Sequence, residues 1–514
     1  NNGMVATTHP IAAQAGIEIM KRGGNAFDAA IATAACLVVV EPTSNGLGSD
    51  AFAILSKGDV LYGINGSGRS PKKLTREWLM ANEIHKIPKF GPIPVTVPGA
   101  VGTWVEIINR FGNLTLKEVL SPAIRAANEG VVVQPTVGKY WELANKRYSS
   151  ILKEDMFKYW FETFTIDGKA PKVGSLIKLE DHARTLEIIG KTNGEDFYRG
   201  EIANKISNFM ESIGGLLSLD DLMEYKPEWV DPISTNYRGY DIWELPPNGQ
   251  GITTLMALSI LNNMELKDLE DPQSVHNAIE AMKIAFQDGD KILGDVNNIN
   301  WMDYTTKEYG LKKINEIDDL ASIPEESEYR RGGTVYLSAA DKDGNMISYI
   351  QSNYMGFGCG LVVPGTGIAL QNRGCDFTLK AGHPNTLEPG KRSYHTIIPG
   401  FLTKENKSIG PFGVMGGMMQ PQGHLQVILN TIDYGLNPQD ALDAPRWQWI
   451  KGNTIHVEHG FSNSLTGALS RMGHDVVVMH DGGGFGRGQI IFKMEDGSIC
   501  GGTESRADGY IATY

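Results

Sequence analysis

The chain has 514 residues, 41% of them hydrophobic and 21% charged, a balance that fits a folded globular protein rather than a disordered or fibrous one. Its 47 basic and 60 acidic residues leave a net charge of −13, which argues against a nucleic-acid backbone or an anionic membrane as a partner. Sixty scattered glycines imply many tight turns and exposed backbone N–H groups.

Two helices are expected at the start of the chain. Pro10 suits a first helical turn running to Gly23-Gly24, and Asn25 with Asp28 three residues on forms a capping-box-like start for the next. The apolar run from Ala29 to Val40 is too short to span a bilayer and reads as a buried helix. Amphipathic patterns recur to about residue 290, as around Leu255–Met264 and His276–Phe286. After Arg330-Arg331-Gly332-Gly333 the texture changes to short β-prone runs between Gly, Asn and Asp. Thr334–Ala340 and Met346–Ser352 flank an Asp-Gly turn and read as a hairpin, with Thr334 at the first strand position. The fold class is α+β, with helices outside antiparallel sheets.

Several chemistries find no signal. There is no G-x-S-x-G, H-E-x-x-H or Walker A run. His456 and His459 are three apart, so on a strand they face opposite ways and share no metal. The 341–345 turn lacks the ligand set of a calcium loop, and the glycines of 482–488 lack the strand–loop–helix frame of a phosphate cradle. No metal or organic cofactor is implied. Cys36, Cys359, Cys375 and Cys500 have no C-x-x-C spacing and read as reduced thiols, which favours the cytoplasm. Asn1 is not an initiator methionine, so secretion or a periplasmic location stays open.

The remaining signal is Gly333-Thr334 together with Gly416-Gly417. Around them stand KRGGNAFDAA (21–30), EPTSNGLG (41–48), VPGAVG (97–102), YRGY (237–240), LGD (293–295), GTGIALQN (365–372), DF (376–377), PGKR (389–392), MGG (415–417), DYGLN (433–437) and APR (444–446). In this order they resemble the γ-glutamyltranspeptidase (glutathione hydrolase) family of N-terminal-nucleophile hydrolases over nearly the whole chain. The resemblance implies a four-layer αββα sandwich, made as one composite domain from segments 1–333 and 334–514 that stay associated after self-cleavage. It implies a small γ-glutamyl amide as substrate, an acyl-threonine intermediate, and transfer to water or an amine; a homo-oligomer is compatible with it.

The chemistry is sensible for these residue types. A threonine hydroxyl needs a base, and once Thr334 starts a chain its α-amine, with a pKa near 8, serves as one. Gly333 is expected to let the backbone take the strained geometry of self-attack. Gly416-Gly417 offers unhindered N–H donors to an oxyanion. By resemblance, Asn353 lies near the nucleophile and Asp376 holds a substrate ammonium, with Gln351 a further substrate contact.

The departures concern specificity. Ser67 stands where the family has a carboxylate-binding arginine, Arg69 follows two positions on, and Arg373 replaces a polar residue before Asp376. His395-Thr396 replaces paired serines, Val335 replaces a second threonine, and the stretch from Phe377 to Lys391 is short for a lid. Arg373, helped by Arg69, is a candidate carboxylate partner; the alternative is a salt bridge between Arg373 and Asp376. The competing functions are a glutaryl- or cephalosporin-type acylase, an unprocessed binding or scaffold paralogue, and a nucleotide-binding role for 482–488.

Overall fold

A computed structural model describes residues 2–297, 299–324 and 332–514. The Arg330-Arg331 pair lies outside the described residues. Two antiparallel sheets stack face to face. The first has seven strands in the order Tyr510–Thr513, Gly3–Thr7, Gly333–Asp341, Met346–Tyr354, Asp50–Lys57, Val60–Gly66, Glu228–Val230. The second has six, in the order Ile499–Thr503, Arg487–Lys493, Lys407–Met415, Gly400–Lys404, Tyr240–Glu244, Ile233–Tyr237. Both sheets draw strands from each side of residue 333, so neither segment carries a complete sheet.

Period-two alternation assigns the layers. Val335, Leu337 and Ala339 face outward into a core shared with the helices Pro10–Lys21, Ala26–Val40, Ala100–Phe111 and Leu116–Glu129. Tyr336, Ile350, Phe52 and Ile54 face inward and meet Phe401, Met415 and Ile491 of the second sheet. The outer face of that sheet is covered by Gly251–Leu261, Pro272–Asp290 and Met419–Ile428. The result is the expected four-layer αββα order.

The first helix and its successor begin as expected, at Pro10 and Ala26, and Asn25 and Asp28 form the reciprocal capping box. A strand, Gly3–Thr7, precedes them. Ala26–Val40 is buried at every residue. Gly16 is required beside it, because a Cβ there would lie 3.1 Å from Ala29 O and closer still to the Thr33 hydroxyl. Gly251–Leu261, expected to be amphipathic, is also buried all round; it lies between the sheet and other helices, so no polar face is needed. The hairpin forms on the Asp-Gly turn, with Gly344 at φ +82°. Asp341 closes that turn by accepting the N–H groups of Asp343 and Asn345, and it also accepts the Ala26 N–H at the start of the second helix. Among the described residues no helix is long and apolar enough to cross a membrane.

Candidate active site

Thr334 is the second residue of the strand Gly333–Asp341, is 1% exposed, and points between the two sheets. Its neighbour Met346–Tyr354 pairs regularly up to Gln351, then shifts register so that Tyr354 faces Gly333. This bulge turns the Ser352 hydroxyl under the Gly333–Thr334 peptide. Thr334 Oγ1 donates to Ser352 Oγ at 3.1 Å, and Ser352 Oγ donates to Gly333 O at 2.7 Å. The Tyr354 N–H donates to Ser352 Oγ at 2.8 Å and fixes it. Three polar groups thus run in sequence from a hydroxyl to the carbonyl of its own preceding peptide. Gly333 itself lies in extended strand, so the expected strained conformation is not the reason for glycine there. The reason is close approach: a Cβ would lie 3.0 Å from Gly356 N and 3.2 Å from Gly356 Cα.

Asn353 is fully buried. Its Oδ1 accepts the Ser49 hydroxyl at 2.8 Å, while its Nδ2 has no partner among the described residues. Gly416 and Gly417 follow the strand Lys407–Met415 and precede the helix Met419–Ile428, with φ of +137° and +63°. The glycine run downstream forms a short 3-10 turn at Gly482–Gly484, between the strands Asp475–Met479 and Arg487–Lys493. Gly486 packs under this bend, where a Cβ on Gly416 would lie 3.2 Å from Gly486 Cα, and Arg446 holds the carbonyls of Phe485 and Gly486. Gln250 joins the bend to the rest of the site, donating to Gly417 O at 2.9 Å and Thr396 O at 2.7 Å.

Thr396, Arg373 and Asp376 come together. Arg373 Nη1 donates to Thr396 Oγ1 at 2.9 Å and lies 3.6 Å from Asp376 Oδ2. The Tyr354 hydroxyl donates to Asp376 Oδ1 at 2.8 Å. The stretch from Phe377 to Lys391 is tied down by Asn385, which donates to Asp376 O and accepts the Tyr394 N–H. His395 is internal: Nε2 meets Asp50 Oδ2 at 2.9 Å, and the ring lies 4.8 Å from that of Phe52. Burial, and then the Arg373 charge, hold the His395 imidazole well below its ordinary pKa. Burial pushes the Asp50 carboxyl up to about 7, against the opposing pull of Arg373.

Two candidates are placed elsewhere. Arg69 is half-exposed and forms ion pairs with Glu228 at 2.9 Å and Asp295 at 3.1 Å. Gln351 faces the helical layer, where it accepts from Trp104 and Tyr349 and donates to Asn45. Ser67 bonds Asn65 and Asn248. Sequence reasoning missed Ser352 and Asp50; a serine in a β-prone run carries no signal, and Asp50 gains meaning only from a strand pairing that sets it opposite Ser352. It also missed a buried group of His276, Glu280 and His474. There His276 Nδ1 and His474 Nε2 are 2.8 Å apart, and Glu280 accepts from Lys283 and Ser322. These contacts fasten the stretch ending at residue 324 to the body.

Comparison with known proteins finds relatives over nearly the whole chain. Residues 12–514 match the Gamma-glutamyltranspeptidase family. The glutathione hydrolase-like YwrD proenzyme of Bacillus subtilis is 37% identical, covering 98% of this chain and 97% of its own. The oxamate amidohydrolase proenzyme of Klebsiella pneumoniae is 31% identical over 100% of this chain and 98% of its own. The crystal structure of a cephalosporin acylase from Bacillus halodurans superposes with a TM-score of 0.97 at 53% identity, covering 100% of this chain and 96% of that one. With the fold and a full-length sequence match in agreement, the chain belongs to the γ-glutamyltranspeptidase family of N-terminal-nucleophile hydrolases.

Proposed function

We propose that the chain cuts itself at Gly333–Thr334 and then uses Thr334 to cleave small γ-glutamyl or related amides. The observation that carries this reading is the run Thr334 Oγ1 to Ser352 Oγ to Gly333 O. In the intact chain the Thr334 nitrogen is an amide and is no base, so the hydroxyl needs another route for its proton. Ser352 supplies it. As Thr334 Oγ attacks the Gly333 carbonyl carbon, its proton passes to Ser352, and the Ser352 proton moves to the developing oxyanion. Collapse breaks the C–N bond, protonates the Thr334 nitrogen and leaves an ester on Oγ. Water then releases the Gly333 carboxylate and a free Thr334 amine.

That amine becomes the base for turnover. Thr334 attacks the substrate amide, the leaving amine takes the proton, and the acyl group remains on Oγ until water or a second amine removes it. The N–H groups of Gly416-Gly417 and the open Asn353 Nδ2 are the donors suited to the oxyanion, each contributing about 3–4 kcal/mol of transition-state stabilisation. N-terminal sequencing of the incubated protein tests the reading. It expects segments of 333 and 181 residues that co-purify, the smaller beginning at Thr334. A smaller piece beginning at Gly332 would mean an outside protease acting at Arg330-Arg331. A chain that stays whole and hydrolyses no amide would leave the scaffold alternative.

A further inference from the structure

Buried guanidinium groups normally have their donors met, because leaving a charged group unpaired in the interior is costly. Arg373 breaks this pattern. It is 1% exposed, and while Nη1 is engaged by Thr396 and Asp376, both Nε and Nη2 have no partner among the described residues. The other buried arginines with an open donor, Arg392 and Arg487, have one each. Nε–H and Nη2–H are parallel and form the side edge of the guanidinium, the edge that grips a carboxylate through two parallel hydrogen bonds. The plane is held in place, with Cζ 3.8 Å from the centre of the Tyr354 ring. Tyr354 is in turn the strand partner of Gly333, and its ring edge is the surface that a Cβ on Gly332 would touch at 3.3 Å. Tyr354 therefore links the guanidinium to the strand that carries the Gly333–Thr334 bond.

We propose that Arg373 is the specificity-determining anchor of this site, and that it takes a carboxylate at the far end of the acyl group through Nε and Nη2. The other charges nearby do not compete for that role. Arg69 is occupied by Glu228 and Asp295, and Arg392 by Glu228. The inference rests on Thr334 as the nucleophile, and its test separates the two.

The test compares glutaryl and butyryl p-nitroanilides, which differ by the terminal carboxylate. A two-bond charged contact corresponds to a preference of about 30- to 100-fold in kcat/KM for the glutaryl compound. Arg373→Gln should bring this ratio close to one, and Arg373→Lys should leave it intermediate. Each ratio is taken within one preparation, so partial misfolding cancels, and a merely structural arginine would not move it. If Arg373→Gln does not accumulate, the Arg373→Lys ratio decides. Calorimetric titration of the purified protein with glutarate and with butyrate reads the anchor without turnover. Glutarate binding no tighter than butyrate, or an unchanged ratio in the Arg373 variants, overturns the proposal. Turnover that survives Thr334→Ala overturns the nucleophile instead and leaves the glutarate titration standing.

Discussion

At Gly333–Thr334 the polar groups in contact are neutral: two hydroxyls and a backbone carbonyl, with the Tyr354 N–H holding the serine. Around Arg373 they are charged or titratable: a buried guanidinium, the Asp376 carboxylate beside it, and the Asp50–His395 pair. The first region needs no counter-ion and holds its groups by strand pairing and a bulge. The second buries charge at a cost that stability alone does not explain. On the proposed function, the difference separates two tasks, bond-making at one end and recognition at the other, and it can be broken or sharpened by experiment.

The largest effect is expected at the neutral end. Thr334→Ala should stay a single chain on a denaturing gel and lose amidase activity by more than about a thousandfold, because one hydroxyl serves both steps. Thr334→Ser should keep part of each. Cleavage of the alanine variant at the ordinary rate would move processing to another residue. Gly417→Val comes next, with turnover down about 100- to 1000-fold, since φ +63° strains a β-branched residue and disturbs the oxyanion donors. Melting measured beside the kinetics distinguishes a lost donor from a lost fold. Ser352→Ala should slow the appearance of a Thr334 terminus by about 100-fold through loss of the proton route. Arg373 variants, by contrast, should still process, because their effect falls on the choice of acyl group. If Arg373→Gln stays uncut while folded, the two regions are not separate tasks.

The fold and the position of Thr334 at the start of a strand were legible for definite reasons. Asn25 and Asp28 are local capping signals, Asp-Gly is a local turn signal, and the glycine pair before Thr334 sits at a change of texture. What was illegible depends on the third dimension. Ser352 meets Thr334 through the hairpin pairing that sets Gln351 opposite Val335, and period-two alternation turns adjacent Gln351 to the helices instead. The glycine at 333 was read from conformation, whereas the cause is Gly356 packed against it. Arg373 lies over a ring 19 positions earlier in the chain, and Asp50 meets a histidine 345 positions away. Neither spacing leaves a periodic trace.

The smallest expected effect concerns the cost of the charged end. Asp50 is buried beside His395, with a carboxyl pushed up to about 7 from an ordinary value of 3.8, chiefly by burial. Its folded-state pKa is thus raised, so between pH 4 and 7 the folded chain holds a proton that the unfolded chain has released. Stability from this group is greatest below the unfolded value and falls as pH rises through about 7. Asp50→Asn removes that titration while keeping an oxygen for His395 Nε2. The variant should gain on the parent as pH increases, by ~1 kcal/mol or about 1 °C in Tm at pH 8. At pH 5 the gap should be smaller. The difference between the two melting curves, followed from pH 5 to 8, cancels every other titration the proteins share. A gap that shrinks or reverses on going to pH 8 would mean that Asp50 is an ionised partner of a protonated His395, and the charged region would then stabilise the fold rather than burden it.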